Sequence, residues 1–344
     1  ALQQKNSFAL FGSGDFTFRL GGAQLAASAL IAVFTALNVF GLKGVARIQN
    51  SLTGLKLIVI LAFILLGLAV GSGDWSHFQQ NAARTSSSPI LSQFIISLFW
   101  VSVSYSGWNA ATYVAEEIKQ PARTLPLALT VGTALVAALY FLLNVVFIYS
   151  TPLEQMKGVL AIGSLTAQNL FGSQIAGIFS LLMAISLMST VNAMVTIGPR
   201  LYYAMAKNGA FVGSAAKVDE RYRTPVIAIL CQGACAMLMT ITPFPQLVLY
   251  IGFTLNFFTF MSAASLFKFR RRHDWQKLGV VSFAWPLIPA TFLLVGLWMI
   301  LYGITLQPRV AAASTFTVLT GALVYHLRMR RNATDTSAAA LDRV

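Results

Sequence analysis

Charged side chains are scarce in this 344-residue chain. Lys, Arg, Asp and Glu together make up 10% of the residues and hydrophobic residues make up 57%, whereas soluble proteins carry about 25% charged residues. This composition excludes a disordered segment, which has few large apolar residues. It also excludes an ordinary water-soluble enzyme, which needs a polar surface. The composition therefore predicts an integral membrane protein.

Side chains that bind metals or act as nucleophiles are also few. The chain has ten Asp and Glu, three His and two Cys residues, and His77, His273 and His326 are far apart in sequence. Cys231 and Cys235 lie in an apolar stretch without a His or acidic neighbour, so we expect them to act as small packing residues. A zinc site needs more ligands than these. We predict no metal, no cofactor, no catalytic triad and no disulfide scaffold.

Long apolar runs dominate what remains. A helix needs about 20 apolar residues to cross a bilayer, and nine stretches qualify. Only the second contains a charged residue, Lys56. Each stretch is expected to be helical, because lipid offers no partner for a free backbone amide. The nine predicted spans are Ala23–Leu42, Ser51–Val70, Ile90–Val114, Leu127–Tyr149, Ser173–Ile197, Pro225–Ile241, Pro245–Phe267, Pro286–Leu306 and Val310–Leu327.

The basic residues are distributed unevenly between these spans. Eighteen of the 24 lie after odd-numbered spans or in the tail, and five lie in the N-terminal segment or after even-numbered spans. Cytoplasmic loops are enriched in Lys and Arg, so the C-terminus is predicted to be cytoplasmic and Ala1 external. The net charge of +14 is then a topology signal and predicts no nucleic-acid partner. An odd number of spans missing from the front would reconcile an external N-terminus with the absence of a signal peptide.

The third predicted span is polar at its centre. The run from Ser102 to Asn109 places hydroxyl groups, a glycine and an amide at mid-membrane depth. Free backbone groups are tolerated there only where they face protein or a watery cavity, and broken helices form substrate sites in secondary transporters. A packing face of small residues is the alternative explanation. The aromatic residues Tyr105 and Trp108 around the Ser-Gly pair favour a site.

Three further polar groups are candidates for function. Lys56 is ionisable within a span, which is a functional hypothesis by default, although its ammonium could also extend to the nearby interface. Glu117 lies close to Lys119 near the cytoplasmic end, where it forms either a surface ion-pair cluster or a gate latch. Asn192 makes the fifth span locally polar, and such groups often hydrogen-bond to their own helix.

Several motifs resemble a known family. The run Tyr105–Pro121, continued by Arg123–Pro126, resembles the sixth helix and following loop of amino acid permeases. These belong to the amino acid–polyamine–organocation superfamily, and the resemblance is to its L-type transporter branch. Gly44–Asn50 resembles that branch's fourth-to-fifth helix junction, and Arg200–Gly209 resembles the end of its eighth helix. The matches run in order along most of the chain.

The resemblance implies an all-α membrane protein with the leucine-transporter fold, which has twelve helices and two inverted five-helix repeats. The nine spans would be the fourth to the twelfth, and the broken first helix that supplies half the site would be missing. Gly12–Phe16 is glycine-rich, but it is expected to form an external turn and not to replace that helix. The predicted organisation is a permease domain over residues 1–331 and a disordered cytoplasmic tail over residues 332–344.

The resemblance also implies a substrate site at the unwound sixth helix. The backbone around Val103 and Ser106, together with Asn109, would face the substrate amino group. Trp108 would line the pocket for the substrate side chain. The residues expected to bind substrate are Val103, Tyr105, Ser106, Gly107, Trp108 and Asn109.

The resemblance also bears on the roles of three other positions. Lys56 would match the lysine whose ammonium stands where sodium sits in sodium-coupled relatives. Asn192 falls at a matching eighth-helix position, with no role assigned. Val103 stands where the branch often has a gating Phe, so occlusion or substrate size is expected to differ.

The predicted function is sodium-independent transport of amino acids by alternating access, with exchange of neutral amino acids, in a plasma membrane or bacterial inner membrane. The nearest alternative is a proton-coupled permease for amino acids or polyamines. From another class, the alternative is a non-transporting sensor or an inactive remnant. An enzyme is not expected, because the sequence has no His, Asp or Glu cluster at one face. The expected partners are an amino acid and the lipid bilayer, and the oligomeric state is left open.

Overall fold

The chain is mainly helical in the computed structural model, which describes residues 7–12, 17–41, 45–84, 87–273, 275 and 283–329. The predicted tail, residues 332–344, lies outside these ranges. A helix occurs at each of the nine predicted spans. They are α1 (Gly22–Val39), α2 (Val45–Ala69), α3 (Ile90–Ser104), α4 (Pro121–Ser150), α5 (Ile162–Lys207), α6 (Val226–Met239), α7 (Phe244–Phe269), α8 (Leu287–Leu306) and α9 (Pro308–Val324).

Seven of these helices are long and apolar enough to cross a membrane. An eighth span results when α3 and the 3₁₀ segment that follows it are counted as one bent helix. The ninth, α6, has 14 residues, which is short of the roughly 20 that a span needs. Prolines flank this stretch, since Pro225 precedes α6 and Pro243 precedes α7, and a proline disfavours helical conformation in the residue before it. Within the described residues, the all-α membrane architecture is confirmed.

A β-hairpin precedes α1, and the sequence patterns do not predict it. Strands β1 (Ser7–Phe11) and β2 (Phe18–Gly21) pair antiparallel, and the rings of Phe11 and Phe18 stack with centroids 4.4 Å apart. The backbone N–H of Arg19 donates to the carbonyl oxygen of Ile241 (3.1 Å), which ties the hairpin to the turn after α6. Of the turn expected at Gly12–Phe16, Gly12 has φ 101°, and residues 13–16 lie outside the described ranges.

Two large hydrophobic clusters hold most of the helices together, and a smaller third cluster lies between the end of α5 and α6. The first lies between α2, α4 and α5 and includes Phe63, Val146, Ala167, Leu170 and Phe179. The second lies between α3, α7, α8 and α9 and includes Ile95, Phe99, Phe253, Met299 and Ala311. Helix α5 touches α2, α4 and α6, and it is broken at Gly172 (φ 80°, ψ 171°), a backbone conformation available essentially to glycine alone.

Replacing Phe63 with alanine is expected to destabilise the protein by about 2 kcal/mol. Phe63 is fully buried, and its ring lies edge-on to Phe171 and Phe179, with centroids 6.3 and 5.3 Å away. This cost is below the roughly 3–5 kcal/mol seen in the cores of water-soluble proteins. Lipid tails are as apolar as the side chain, so little transfer free energy is lost, and the cost comes mainly from the cavity that the substitution leaves. Unfolding by a denaturing detergent, followed by tryptophan fluorescence, measures it.

Leu65→Ala on the same helix is the matched control. Leu65 is 65% exposed, so its side chain faces lipid and leaves no internal cavity when it is shortened. Equal destabilisation by the two substitutions would contradict the packing described above.

Candidate functional site

The third span is broken where the sequence predicts it. Helix α3 ends at Ser104, and a 3₁₀ helix begins at Trp108 and runs to Glu117. The two helical parts are bent by 43° relative to each other. The turn between them depends on Gly107, whose φ is 99°. Tyr140 on α4 donates a hydrogen bond to the carbonyl oxygen of Ser104 (2.7 Å), which satisfies one of the carbonyls that a helix end leaves free.

The break lines a cavity of about 140 Å³ between α3, α7 and α8. An apolar cavity of roughly this size in another protein holds a benzene molecule, so a small organic group fits. From the break, the cavity is lined by Ser102, Val103, Ser106, Trp108 and Asn109. From α7 it is lined by Gly252, Leu255, Asn256 and Thr259, and from α8 by Phe292, Val295, Gly296 and Met299.

Four of the six residues expected to bind substrate line this one cavity: Val103, Ser106, Trp108 and Asn109. The other two lie beside it. The ring of Tyr105 packs edge-on against Tyr140 with centroids 5.1 Å apart. Gly107 forms the turn itself, so its contribution is to the backbone conformation.

The α7 wall of the cavity was missed by sequence reasoning. Gly252, Asn256 and Thr259 lie on one face of α7, because residues four and seven apart align along a helix. A Cβ at Gly252 would be 2.7 Å from Cγ2 of Val103, so the glycine permits α3 and α7 to approach closely. A polar face with that spacing in an otherwise apolar span is the signal that could have found these residues.

Two amide side chains line the cavity from different elements, Asn109 from the 3₁₀ helix and Asn256 from α7. The amide nitrogen of Asn109 donates to the hydroxyl of Tyr113 (2.6 Å), and that of Asn256 donates to the carbonyl oxygen of Gly296 (3.2 Å). Each side chain then has one further N–H donor and its carbonyl oxygen, which only accepts. An ammonium group is a pure donor, so the two carbonyl oxygens are suited to binding an amine.

Lys56 is bonded to a neighbouring helix. Its ammonium on α2 donates to the hydroxyl of Thr190 on α5 (2.8 Å). One turn further along α5, the methyl group of Met194 lies 3.6 Å from where a Cβ at Gly107 would be. Residues four apart lie on the same helix face, so Lys56 and the break approach the same face of α5, about 6 Å apart along its axis.

Asn192 also bonds to another helix, and not to its own as such groups often do. Its side chain is 1% exposed, and its amide donates to Oε1 of Gln49 on α2 (2.8 Å). On the next turn, the hydroxyl of Thr196 donates to Oδ1 of Asn38 on α1 (2.9 Å). These bonds join three helices. The side chain of Glu117, which was expected to form either a surface ion-pair cluster or a gate latch, lies outside the part of the chain that the structure describes.

The family model for amino acid permeases matches residues 15–325. The chain belongs to the amino acid permease family. The resemblance stated from the sequence motifs is therefore confirmed, and the chain is an integral multi-pass membrane protein. Its family and relatives are transporters and not enzymes.

Three curated relatives illustrate the similarity. The chain is 25% identical over 310 residues to the large neutral amino acids transporter small subunit 2 of Mus musculus, covering 89% of this chain and 58% of the relative. It is 27% identical over 295 residues to the b(0,+)-type amino acid transporter 1 of Mus musculus, covering 83% and 58%. It is 25% identical over 315 residues to the Asc-type amino acid transporter 1 of Homo sapiens, covering 89% and 58%. The chain thus spans less than two thirds of the length of these relatives.

Proposed function

We propose that the protein carries amino acids across the membrane by alternating access, without sodium, and exchanges one neutral amino acid for another. The observation that carries this proposal is the broken span that lines a cavity together with the amide side chains of Asn109 and Asn256. The relatives named above support the substrate class, because each is named as an amino acid transporter.

In this proposal, the cavity binds the amino acid at its ammonium group. Asn109 accepts from the ammonium through Oδ1, together with backbone groups near Val103 and Ser106, and Trp108 covers the substrate side chain. Tyr105 and Gly107 hold the backbone at the turn. The described residues that line the cavity include no Asp, Glu, Lys or Arg, which supports neutral side chains as substrates.

Lys56 supports independence from sodium in the same proposal. A fixed ammonium between α2 and α5 repels a second cation and supplies a positive charge in its place. The distribution of Lys and Arg supports a cytoplasmic C-terminus, since eighteen of the 24 basic residues lie after odd-numbered predicted spans or in the tail, and cytoplasmic loops are enriched in these residues.

Efflux from proteoliposomes tests the proposal. The protein, expressed from its own gene, is reconstituted with a labelled mixture of neutral amino acids inside, and single unlabelled amino acids are added outside in sodium-free buffer. We expect efflux to accelerate with the external amino acids that are substrates and to be unchanged when sodium is added. Efflux that no external amino acid changes would exclude exchange, and uptake driven by a pH gradient would then establish the proton-coupled alternative.

The substitution Asn109→Leu tests whether the transported amino acid binds in the cavity. This substitution keeps the size of the side chain and removes its acceptor, so exchange is expected to fall about tenfold or more. Asn144→Leu is the matched control, because Asn144 lies on α4 and donates to the carbonyl oxygen of Tyr140 on its own helix. Equal effects of the two substitutions would argue against substrate binding by Asn109.

A further inference from the structure

A second and larger cavity, of about 890 Å³, lies at the basic end of the helices. It is formed by the end of α1, the start of α2, the C-terminal half of α5 and the loop before α6. It shares no described lining residue with the cavity at the break. Its polar lining includes Gln49, Asn50, Arg200, Arg221, Arg223 and Thr224.

The charge of this cavity is positive. Three arginines line it, and none of its described lining residues is acidic. Asp219 is close in sequence, but its Oδ1 already accepts from the backbone N–H groups of Arg221 (3.0 Å) and Tyr222 (2.9 Å). Guanidinium groups gathered in one cavity repel each other, and an anion bound between them relieves that repulsion.

The loop that carries two of the arginines is held in place. Arg223 has φ 54°, and its N–H donates to the carbonyl oxygen of Asp219 (2.8 Å). The hydroxyl of Thr224 donates to the carbonyl oxygen of Val39 at the end of α1 (2.8 Å), and the ring of Tyr222 lies edge-on to Phe40 with centroids 5.4 Å apart. The backbone of the loop is therefore fixed before any ligand arrives, which lowers the entropy cost of binding.

We propose that this cavity binds a phosphate-bearing anion. The guanidinium group matches the geometry of phosphate oxygens and bonds to them with two parallel N–H groups. Neighbouring amide and hydroxyl groups from Gln49, Asn50 and Thr224 complete a polar lining. The anion comes either from the headgroup of an anionic phospholipid, which basic pockets between membrane helices bind, or from a soluble phosphate.

Two binding assays on the purified, delipidated protein distinguish the sources. Native mass spectrometry measures retention of phosphatidylglycerol against phosphatidylcholine, and equilibrium dialysis measures labelled inorganic phosphate. Binding of phosphatidylglycerol that inorganic phosphate does not displace identifies the lipid headgroup. Binding of inorganic phosphate by itself identifies the soluble source. Equal retention of both lipids together with no binding of phosphate would overturn the proposal.

Substitutions locate the site. Arg221→Gln with Arg223→Gln is expected to weaken binding about tenfold for each arginine removed. Arg200→Gln tests the same cavity from α5, so it decides the question if the loop variant does not fold. Lys217→Gln is the matched control, since Lys217 is exposed and lies close in sequence to the loop but outside the cavity. Binding that survives both arginine variants would also overturn the proposal.

Discussion

Replacing Lys56 with methionine is expected to lower amino acid exchange about ten- to a hundredfold. The ammonium of Lys56 bonds across the α2–α5 contact to Thr190. Thr190 lies one helical turn from Met194, whose methyl group is 3.6 Å from where a Cβ at Gly107 would be. Methionine keeps the length of the side chain but removes the charge and the donor, so packing is preserved while the electrostatic contribution is lost. Exchange in sodium-free proteoliposomes measures the effect, and thermal unfolding in detergent should change little.

Two further variants separate charge from hydrogen bonding. Lys56→Arg keeps the positive charge and is expected to retain more activity than methionine, although its planar group does not match a single hydroxyl acceptor. Lys157→Met is the control, because Lys157 pairs with exposed Glu154 (2.7 Å), and such surface pairs contribute little. Wild-type exchange by Lys56→Met would remove Lys56 from the mechanism, whatever its position.

Gly107→Ala is expected to destabilise the protein by about 2 kcal/mol and to lower exchange strongly. The nearest atom to a Cβ at this position, Cε of Met194, is 3.6 Å away, which is an ordinary contact. The cost is therefore conformational, because φ is 99° and an L-residue in the left-handed region costs about 1–2 kcal/mol or more. The turn would relax toward a straighter helix, and the backbone groups that face the cavity would be lost with it.

Gly132→Ala is the matched control, and it is expected to stabilise the protein. Gly132 lies inside α4, and nothing lies within 4 Å of where its Cβ would be. Alanine in a helix interior is about 0.5–1 kcal/mol more stable than glycine. Thermal unfolding and exchange are measured for both variants. If Gly107→Ala is as harmless as Gly132→Ala, the break does not depend on a left-handed glycine.

The helices and the break were predictable because their signals are local. An apolar run must form a helix in lipid, so composition alone located all nine helices, including the first at Gly22–Val39. The cluster of Ser, Gly and Asn after Trp100 indicated where a helix could not continue regularly, and α3 ends there at Ser104. The short length of α6 was less visible, because it depends on prolines at both ends of an apolar run. The inverted repeat and the helix numbering stay predictions.

The partners of the candidate residues could not be predicted in the same way. Lys56 and Thr190 are 134 residues apart, and Asn192 and Gln49 are 143 apart. In a soluble helix an apolar stripe marks the buried face, but lipid is as apolar as the core, so both faces of these spans look alike in sequence. The basic cavity was not predicted from the sequence either, since its arginines were interpreted only as a signal of membrane topology.

The sequence by itself determined that this is a membrane protein, where its long helices lie, that the third span is broken and which family the chain resembles. Those properties follow from hydropathy, from charge and from residue types close together in the chain. Only the tertiary structure decided that Val103, Ser106, Trp108 and Asn109 share a cavity with Asn256, and that Lys56 reaches α5. These facts depend on which faces of distant helices meet, and that choice is made by close packing and interhelical hydrogen bonds, which have no local pattern in the sequence.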